Sequence, residues 1–420
     1  VENAGENKSK SETFIAKFAH VYTPIVVCIA LLLAFIPPFF GNSYMEALPV
    51  WLNRALTFLV VSCPCALVIS VPLTFFAGIG GASKRGILIK GSNYMDTLAN
   101  TGTVVFDKTG TLTKGKFEVE AIHPNNFNEK ELLHLAAHVE RFSTHPIAMS
   151  LKTAFGNEDD GCSVTNVKEL AGNGVTATVN GKTVHVGNSR LMDAIGAEWH
   201  QCHKAGTIVH VAVDGVYVGH IVVADIIKED SQKAIGSLKE LGVKKTVMLT
   251  GDRREVGELV AQKLCIDECH SELLPADKVS IMENILKAET DKEKTVFVGD
   301  GINDAPVLAL ADVGIAMGAL GSDAAIEAAD VVLMDDKPSK IATAIAIARR
   351  TIGIAMQNVV FAIAVKLLVL FLASLGIATM WMAVFADVGV TVIAVLNAMR
   401  ALNTKRVDEL TSKQVDKLTS

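Results

Sequence analysis

Three segments of the sequence end an apolar run in residues able to handle a phosphoryl group. Val104-Val105-Phe106 leads into Asp107-Lys108-Thr109-Gly110-Thr111, Val247-Met248-Leu249 into Thr250-Gly251-Asp252, and Val296-Phe297-Val298 into Gly299-Asp300-Gly301-Ile302-Asn303-Asp304. A further segment, Pro275-Ala276-Asp277-Lys278, offers an ammonium. Asp107 can attack a γ-phosphate as a carboxylate nucleophile. Thr250 and Lys278 can hold the phosphoryl oxygens. Asp300, with Asp107 itself, can bind Mg²⁺ through hard oxygen ligands. Such chemistry is mostly positioning and charge stabilisation. One acidic residue after a strand is ordinarily a helix N-cap; four elements in a workable order point past that reading.

A second constellation lies in apolar sequence. Ser62-Cys63-Pro64-Cys65-Ala66 sets two sulfurs around a proline that removes a backbone donor. A broken helix at membrane depth is tolerated only against protein or a cavity. Thiolates select soft or borderline ions over Na⁺, K⁺ or Ca²⁺. Lys366 and Asp387 stand alone as charges in the last apolar stretch, where ionisable groups are costly and usually functional. Cys63, Cys65 and Asp387 can surround a divalent cation, with Lys366 as a built-in counter-ion once the cation leaves. A plain Lys366–Asp387 ion pair is the simpler alternative. A carboxylate suits Zn²⁺ better than Cu⁺.

The elements that must carry these residues follow from composition. The chain has 420 residues, 50% of them hydrophobic and 20% charged, with a net charge of −6. That excludes a disordered chain and gives no global attraction to nucleic acid. Seven scattered cysteines exclude a disulfide scaffold. Val21–Tyr44 and Ala55–Ser83 are free of charge, and Thr351–Met399 is interrupted only by Lys366 and Asp387. At about 20 residues per crossing, four transmembrane helices are expected, the first pair joined by a loop at Gly41–Leu52. Lys and Arg flank the other ends of these spans, which puts both termini and the central block on the cytoplasmic side of a cell membrane. The central block reads as parallel α/β, because its short β-branched runs each precede a helical pattern. From about 118 to 221 the texture changes to hairpin signals such as Asn180-Gly181 and Asp214-Gly215, as in an inserted domain. Gly110 to Lys116 has P-loop spacing, but Phe117 replaces the required hydroxyl residue, so that reading fails.

Asp107-Lys-Thr-Gly-Thr, Thr250-Gly-Asp and Gly299-Asp-Gly-Ile-Asn-Asp together resemble the P-type ion-transporting ATPases, over essentially the whole chain. With Cys-Pro-Cys and Asp387, the resemblance is to the heavy-metal subgroup of zinc/cadmium/lead exporters. It implies a multidomain membrane protein: an α-helical transmembrane bundle and an α/β haloacid-dehalogenase-like, Rossmann-like phosphorylation domain, with an inserted α+β nucleotide-binding domain. The implied boundaries are 1–97 for the first two membrane helices, 98–117 and 222–345 for the phosphorylation domain, and 118–221 for the nucleotide domain. The last two helices take 346–404 and a tail 405–420.

The same resemblance adds Thr109, Asn303 and Asp304 to the catalytic set and Asp304 to the Mg²⁺ set. It assigns ATP to Glu140, His145, Gly172, Gly174, Gly187 and Asp252. ATP, Mg²⁺, a Zn²⁺, Cd²⁺ or Pb²⁺ cargo and a lipid bilayer are the implied partners. Thr109 stands where soluble phosphatases of this mechanism have an acid–base aspartate, so the acyl phosphate should hydrolyse slowly. Family members also carry an N-terminal metal-binding region and an actuator domain with a Thr-Gly-Glu loop. No Thr-Gly-Glu occurs in this sequence, which reads as the C-terminal portion of a longer pump. Alternatives are a copper-type exporter and an autophosphorylating module without complete transport. His200-Gln-Cys202-His203 and Cys265-Ile-Asp-Glu-Cys269-His270 lack zinc-site spacing and read as ordinary residues. Asp225-Ile-Ile-Lys228 resembles a family Asp-x-x-Arg element with Lys in place of Arg, which loses the bidentate fork.

Overall fold

A computed structural model describes residues 10–40, 43–62, 65–143, 145–156, 160–170, 172–202, 206–290, 293–300, 304–318, 323–374 and 379–403. The chain opens with helices α1 (Lys10–Phe35), α2 (Tyr44–Ser62) and α3 (Cys65–Ser83), strand β1 (Ile87–Ile89) and helix α4 (Ser92–Ala99). Then come β2 (Thr101–Asp107), β3 (Thr113–Pro124), α5 (Glu129–Val139), α6 (Pro146–Phe155), β4 (Val164–Leu170), β5 (Gly174–Val179), β6 (Lys182–Gly187) and α7 (Ser189–Ile195). They are followed by β7 (Thr207–Val213), β8 (Val216–Ile227), α8 (Ser231–Glu240), β9 (Lys245–Leu249), α9 (Arg254–Leu264), β10 (Glu268–His270) and α10 (Pro275–Lys287). The chain continues through β11 (Lys294–Gly299), α11 (Ala305–Leu310), β12 (Val313–Met317), α12 (Asp323–Ala328) and β13 (Val331–Leu333), and closes with α13 (Ser339–Ser374) and α14 (Met380–Met399). It divides into two compact units, 1–105 with 233–246 and 277–420, and 106–232 with 247–276.

The first unit holds the apolar helices. Tyr22–Phe40, Tyr44–Ser83 and Ser339–Leu372 are long and apolar enough to cross a membrane, and Val384–Met399 is a shorter apolar helix. Where four spans are expected, the 40-residue stretch Tyr44–Ser83 carries two helices, α2 and α3. The expected loop is largely helical: Ala47 N–H bonds Ser43 O at 3.1 Å, and Glu46 in the first turn suits the positive helix end. Helices α3, α13 and α14 pack through Ala66, Leu67, Ala362 and Val390. Small residues here let the backbones approach closely. Asn358 adds polar ties, donating to Ala394 O at 3.0 Å and accepting from Asn397 at 2.9 Å.

Helix α13 has 36 residues, about 54 Å at 1.5 Å each, well beyond a bilayer core of about 30 Å. Its Arg349 donates to Ala99 O at 2.9 Å, to Thr101 O at 3.4 Å and to Leu241 O. One guanidinium thus binds carbonyls at the ends of α4 and α8 and the start of β2.

The seven-stranded sheet runs β1-β13-β12-β11-β2-β9-β10. Strand β2 is β-branched and buried along nearly its whole length, as a central parallel strand must be. The starts of three strands are tied together: Lys294 N–H donates to Asn100 O (3.0 Å) and Lys244 N–H to Gly102 O (2.8 Å). Strands β11, β2 and β9 therefore set off side by side.

In the second unit a six-stranded antiparallel sheet has the order β3-β8-β7-β6-β5-β4. Its tight turns, Asn180-Gly181 and Asp214-Gly215, have left-handed φ at both positions (49° and 83°; 49° and 81°), the form that matches strand twist. Leu132, Leu135, Ala136 and Leu151 from α5 and α6 cover one face, against Val175, Val186, Val211, Ile221 and Val223. Leu191 and Met192 of α7 pack with Ala212 and Tyr217 in a separate cluster.

Gly174 and Gly187 are cross-strand partners. A Cβ on Gly187 would sit 2.9 Å from the Gly174 Cα and strike the Asn173 carbonyl as well. Overpacking of this kind costs about 1–3 kcal/mol. Gly187→Ala should therefore lower the thermal midpoint of the nucleotide-free protein, which scanning calorimetry would measure.

Candidate functional site

In the second unit, Asp107 closes β2 as a buried residue, and its side chain makes no capping bond to the turn that follows. The N-cap reading therefore fails for it. Gly110 in that turn has φ 72°, a left-handed conformation that favours glycine. Three side chains fix the turn. Lys228 Nζ donates to Gly110 O at 2.5 Å, Ser231 Oγ donates to Leu112 O at 2.7 Å, and Thr113 Oγ1 lies 2.9 Å from Lys108 O. Thr113 Oγ1 is also 2.5 Å from Asp225, which lies 3.9 Å from Lys108 Nζ.

Lys108, only 3% exposed, pairs with Asp252. Burial pushes the Asp225 carboxyl up, against the pull of Thr113 and Lys108. Thr250 is buried; its N–H donates to His270 O at 2.9 Å, and its hydroxyl oxygen accepts the Asp252 N–H at 3.1 Å. Its own proton remains available to a ligand. Thr109 is exposed.

The sequence reading set Asp225 and Lys228 aside and did not single out Lys108. The signal was Lys228 itself: the ammonium that replaces a guanidinium there reaches the Gly110 carbonyl. A buried lysine also has to be paired. Lys228→Ala leaves the Gly110 carbonyl without this donor and should slow phosphorylation of Asp107 by tenfold or more, measured by rapid-quench labelling.

The second unit also carries Glu140, His145, Gly172, Gly174 and Gly187, the residues that the resemblance assigns to nucleotide. Glu140 ends α5 and is nearly buried, and burial raises its carboxyl pKa while the Ser143 hydroxyl lowers it. His145 is exposed and caps α6, its Nδ1 placed 3.3 Å from the Ile147 N–H. The cap uses Nδ1 and leaves the rest of the exposed ring open. Gly172 has open space above it with φ 74°, and Asn188 Nδ2 ties its carbonyl at 2.8 Å. Gly174 and Gly187 differ: their missing side chains are needed by each other.

A raised carboxyl supports the fold only while protonated. Its contribution is complete below the ordinary glutamate value and disappears as pH rises through the folded value. At neutral pH the buried Glu140 carboxyl is therefore a cost. Glu140→Gln should raise the thermal midpoint at pH 7 but not at pH 4, while weakening ATP binding in a titration of the same variant.

In the first unit, Asp304 stands at the N-cap of α11 without capping it; its Oδ1 takes Lys278 Nζ at 2.9 Å instead. Carboxylate oxygens of Asp300 and Asp304 lie within 4.8 Å of each other, in reach of one hard cation. Among the apolar helices, Lys366 Nζ lies 3.6 Å from Asp387 Oδ1, and neither atom has a hydrogen-bond partner among the described residues. Cys65 opens α3, half-buried. Ala66 packs with Ala362 and Val390, residues within one helical turn of Lys366 and Asp387. Cys63 and Asn303 lie outside the described residues.

The haloacid dehalogenase-like hydrolases match residues 101–312, half of the sequence, and the chain belongs to that family, in its heavy-metal P-type ATPase branch. It is 54% identical over 406 residues to the cadmium, zinc and cobalt-transporting ATPase of Bacillus subtilis, covering 96% of this chain and 58% of that protein. It is 53% identical over 401 residues to the zinc-transporting ATPase of Synechocystis sp., covering 95% and 55%. The crystal structure of a zinc-transporting PIB-type ATPase in the E2.Pi state matches with TM-score 0.82 at 36% identity, over 96% of this chain and 66% of that one. The chain thus spans a little over half the length of the curated relatives it matches.

Proposed function

We propose that this chain carries the phosphorylation, nucleotide and ion-site parts of an ATP-driven exporter of a borderline divalent cation, Zn²⁺, Cd²⁺ or Pb²⁺. The observation that carries the reading is the set of strands β11, β2 and β9. They are tied at their starts and have similar lengths, and each ends in a phosphate-handling residue: Asp300, Asp107 and Thr250. Ligands of open parallel sheets collect at such ends. Asp107 is the nucleophile on the γ-phosphate of ATP. The bond formed is a mixed anhydride and ADP leaves. Mg²⁺, which neutralises the transferred phosphoryl group, is held by Asp107, Asp300 and Asp304. Lys278 and Thr250 hold the phosphoryl oxygens, with Asn303 and Asp304 in the same loop. Glu140, His145 and Gly172 take the nucleotide, and Asp252 fixes Lys108 behind it.

The cargo site comprises Cys63, Cys65 and Asp387. Lys366, already paired with Asp387, serves as the counter-ion that replaces a departing cation. The membrane is the cell membrane, with both termini and the α/β units cytoplasmic; the support is the Lys and Arg flanking the apolar stretches. The partners are ATP, the cation, the bilayer, and the actuator and metal-binding segments of a full-length pump.

Incubation of the chain with γ-labelled ATP, Mg²⁺ and Zn²⁺ should label Asp107, and Asp107→Asn should abolish the label. Label surviving that change defeats the proposal. Thr109, exposed and without acid–base capacity, makes the labelled state long-lived. Thr109→Asp should speed its decay by about 10²-fold, the contribution of a placed general base, in a chase with unlabelled ATP. Asp387→Ala should remove the zinc dependence of labelling.

A further inference from the structure

The six-stranded sheet sets three histidines in one row. His123 of β3 is the register partner of His220 of β8, and His220 is the register partner of His210 of β7. Register partners project to the same face of a sheet. This is the face opposite Ile221 and Val223, which pack under α5 and α6. His220 is 2% exposed and His210 is 3% exposed. The Tyr217 hydroxyl sits between them, 2.9 Å from His220 Nδ1 and 3.1 Å from His210 Nδ1. The segment bearing His200 and Cys202 lies over the row, with the His200 ring centroid 5.4 Å from that of His220.

Two atoms in this cluster are unexplained by the fold. His123 Nε2 and His220 Nε2 are buried and have no hydrogen-bond partner among the described residues. An unsatisfied buried polar atom costs about 1–3 kcal/mol, and here two adjacent strands each bear one. The donor atoms of His123, His220 and Cys202 lie within 4.8 Å of one another. Cys202 is a thiol, not a disulfide. Tyr217 occupies the other nitrogen of His220, as outer-sphere partners of metal-bound imidazoles do, and so turns Nε2 toward the cluster. By contrast, a second group, His134, His138, Asp160 and Cys162, is closed by its own bonds. Asp160 lies 2.8 Å from His134 Nε2 and 3.1 Å from His138 Nε2, and those atoms need no ion.

We propose that His123 Nε2, His220 Nε2 and Cys202 Sγ form a binding site for a borderline divalent cation of the Zn²⁺ class, separate from the membrane cysteines. Two imidazoles and one thiolate suit Zn²⁺ and leave a fourth position to water. Binding releases the thiol proton to solvent and forms three metal–ligand bonds. The site clamps the far end of the β3–β8 pair. The near end of that pair, Thr113 opposite Ile227, borders the turn after Asp107.

The test uses the full chain in detergent with Cys63→Ser and Cys65→Ser, so that no membrane sulfur contributes, and Co²⁺ alone as the spectroscopic probe. One equivalent of Co²⁺ should bind with a thiolate-to-cobalt charge-transfer band. Cys202→Ser should abolish the band, and Zn²⁺ should displace it. Tyr217→Phe should keep the band but weaken binding about 10–100-fold. His123→Gln, less buried than His220, is the independent ligand variant and should lose the bound equivalent while retaining its far-ultraviolet circular dichroism. A band that persists in Cys202→Ser, or one that follows Cys162→Ser instead, overturns the proposal. So does the absence of any bound Co²⁺ in the parent chain.

Discussion

A single ammonium, on Lys228, meets the carbonyl of Gly110, and the geometry around Asp107 depends on that contact. The turn after Asp107 has to leave a buried strand, pass through a left-handed glycine and enter a new sheet within a few residues. Its carbonyls need donors on the way. Lys228, Ser231 and Thr113 satisfy them from one side, and the Lys108–Asp252 pair neutralises the charge brought in with them. A side chain supplied from the end of β8 thus sets the shape of a loop that begins at the end of β2. Asp107 is thus presented by a preformed turn, as the proposed nucleophilic role requires.

Much of this was legible in sequence. Buried parallel strands announce themselves as β-branched runs, and the residues that follow each run are those the structure sets at strand ends. The Asn-Gly and Asp-Gly turns fixed two hairpins outright, because those pairs accept the left-handed backbone that strand twist demands. The extent of the expected loop at Gly41–Leu52 was less legible, since helix α2 already begins at Tyr44. A charge-free window locates apolar sequence and says nothing of where an N-terminal turn begins, which here depends on Glu46 and the Ser43 carbonyl.

Long-range pairings were not legible. Lys228 lies 118 residues from Gly110, and nothing local in either segment points to the other. The same holds for the histidine row. His123, His210 and His220 are adjacent only because of strand register, and Cys202 reaches them from a segment that, read alone, looks ordinary. Glycine was ambiguous for a related reason. Gly172 faces open space, whereas Gly174 and Gly187 exist for each other, and sequence cannot tell a glycine cleared for a ligand from one cleared for a neighbouring strand.

Arg349 holds three carbonyls from α4, β2 and the end of α8 while lying in the same continuous helix as Lys366. The two residues are 17 positions apart, about 25 Å along the axis at 1.5 Å per residue. A helix so anchored cannot rotate or slide at one end without carrying the other. Any tilt of the sheet's entry edge is therefore delivered to the Lys366–Asp387 pair as a displacement of the whole rod. A break introduced between them would disconnect the two ends while leaving the contacts of each intact.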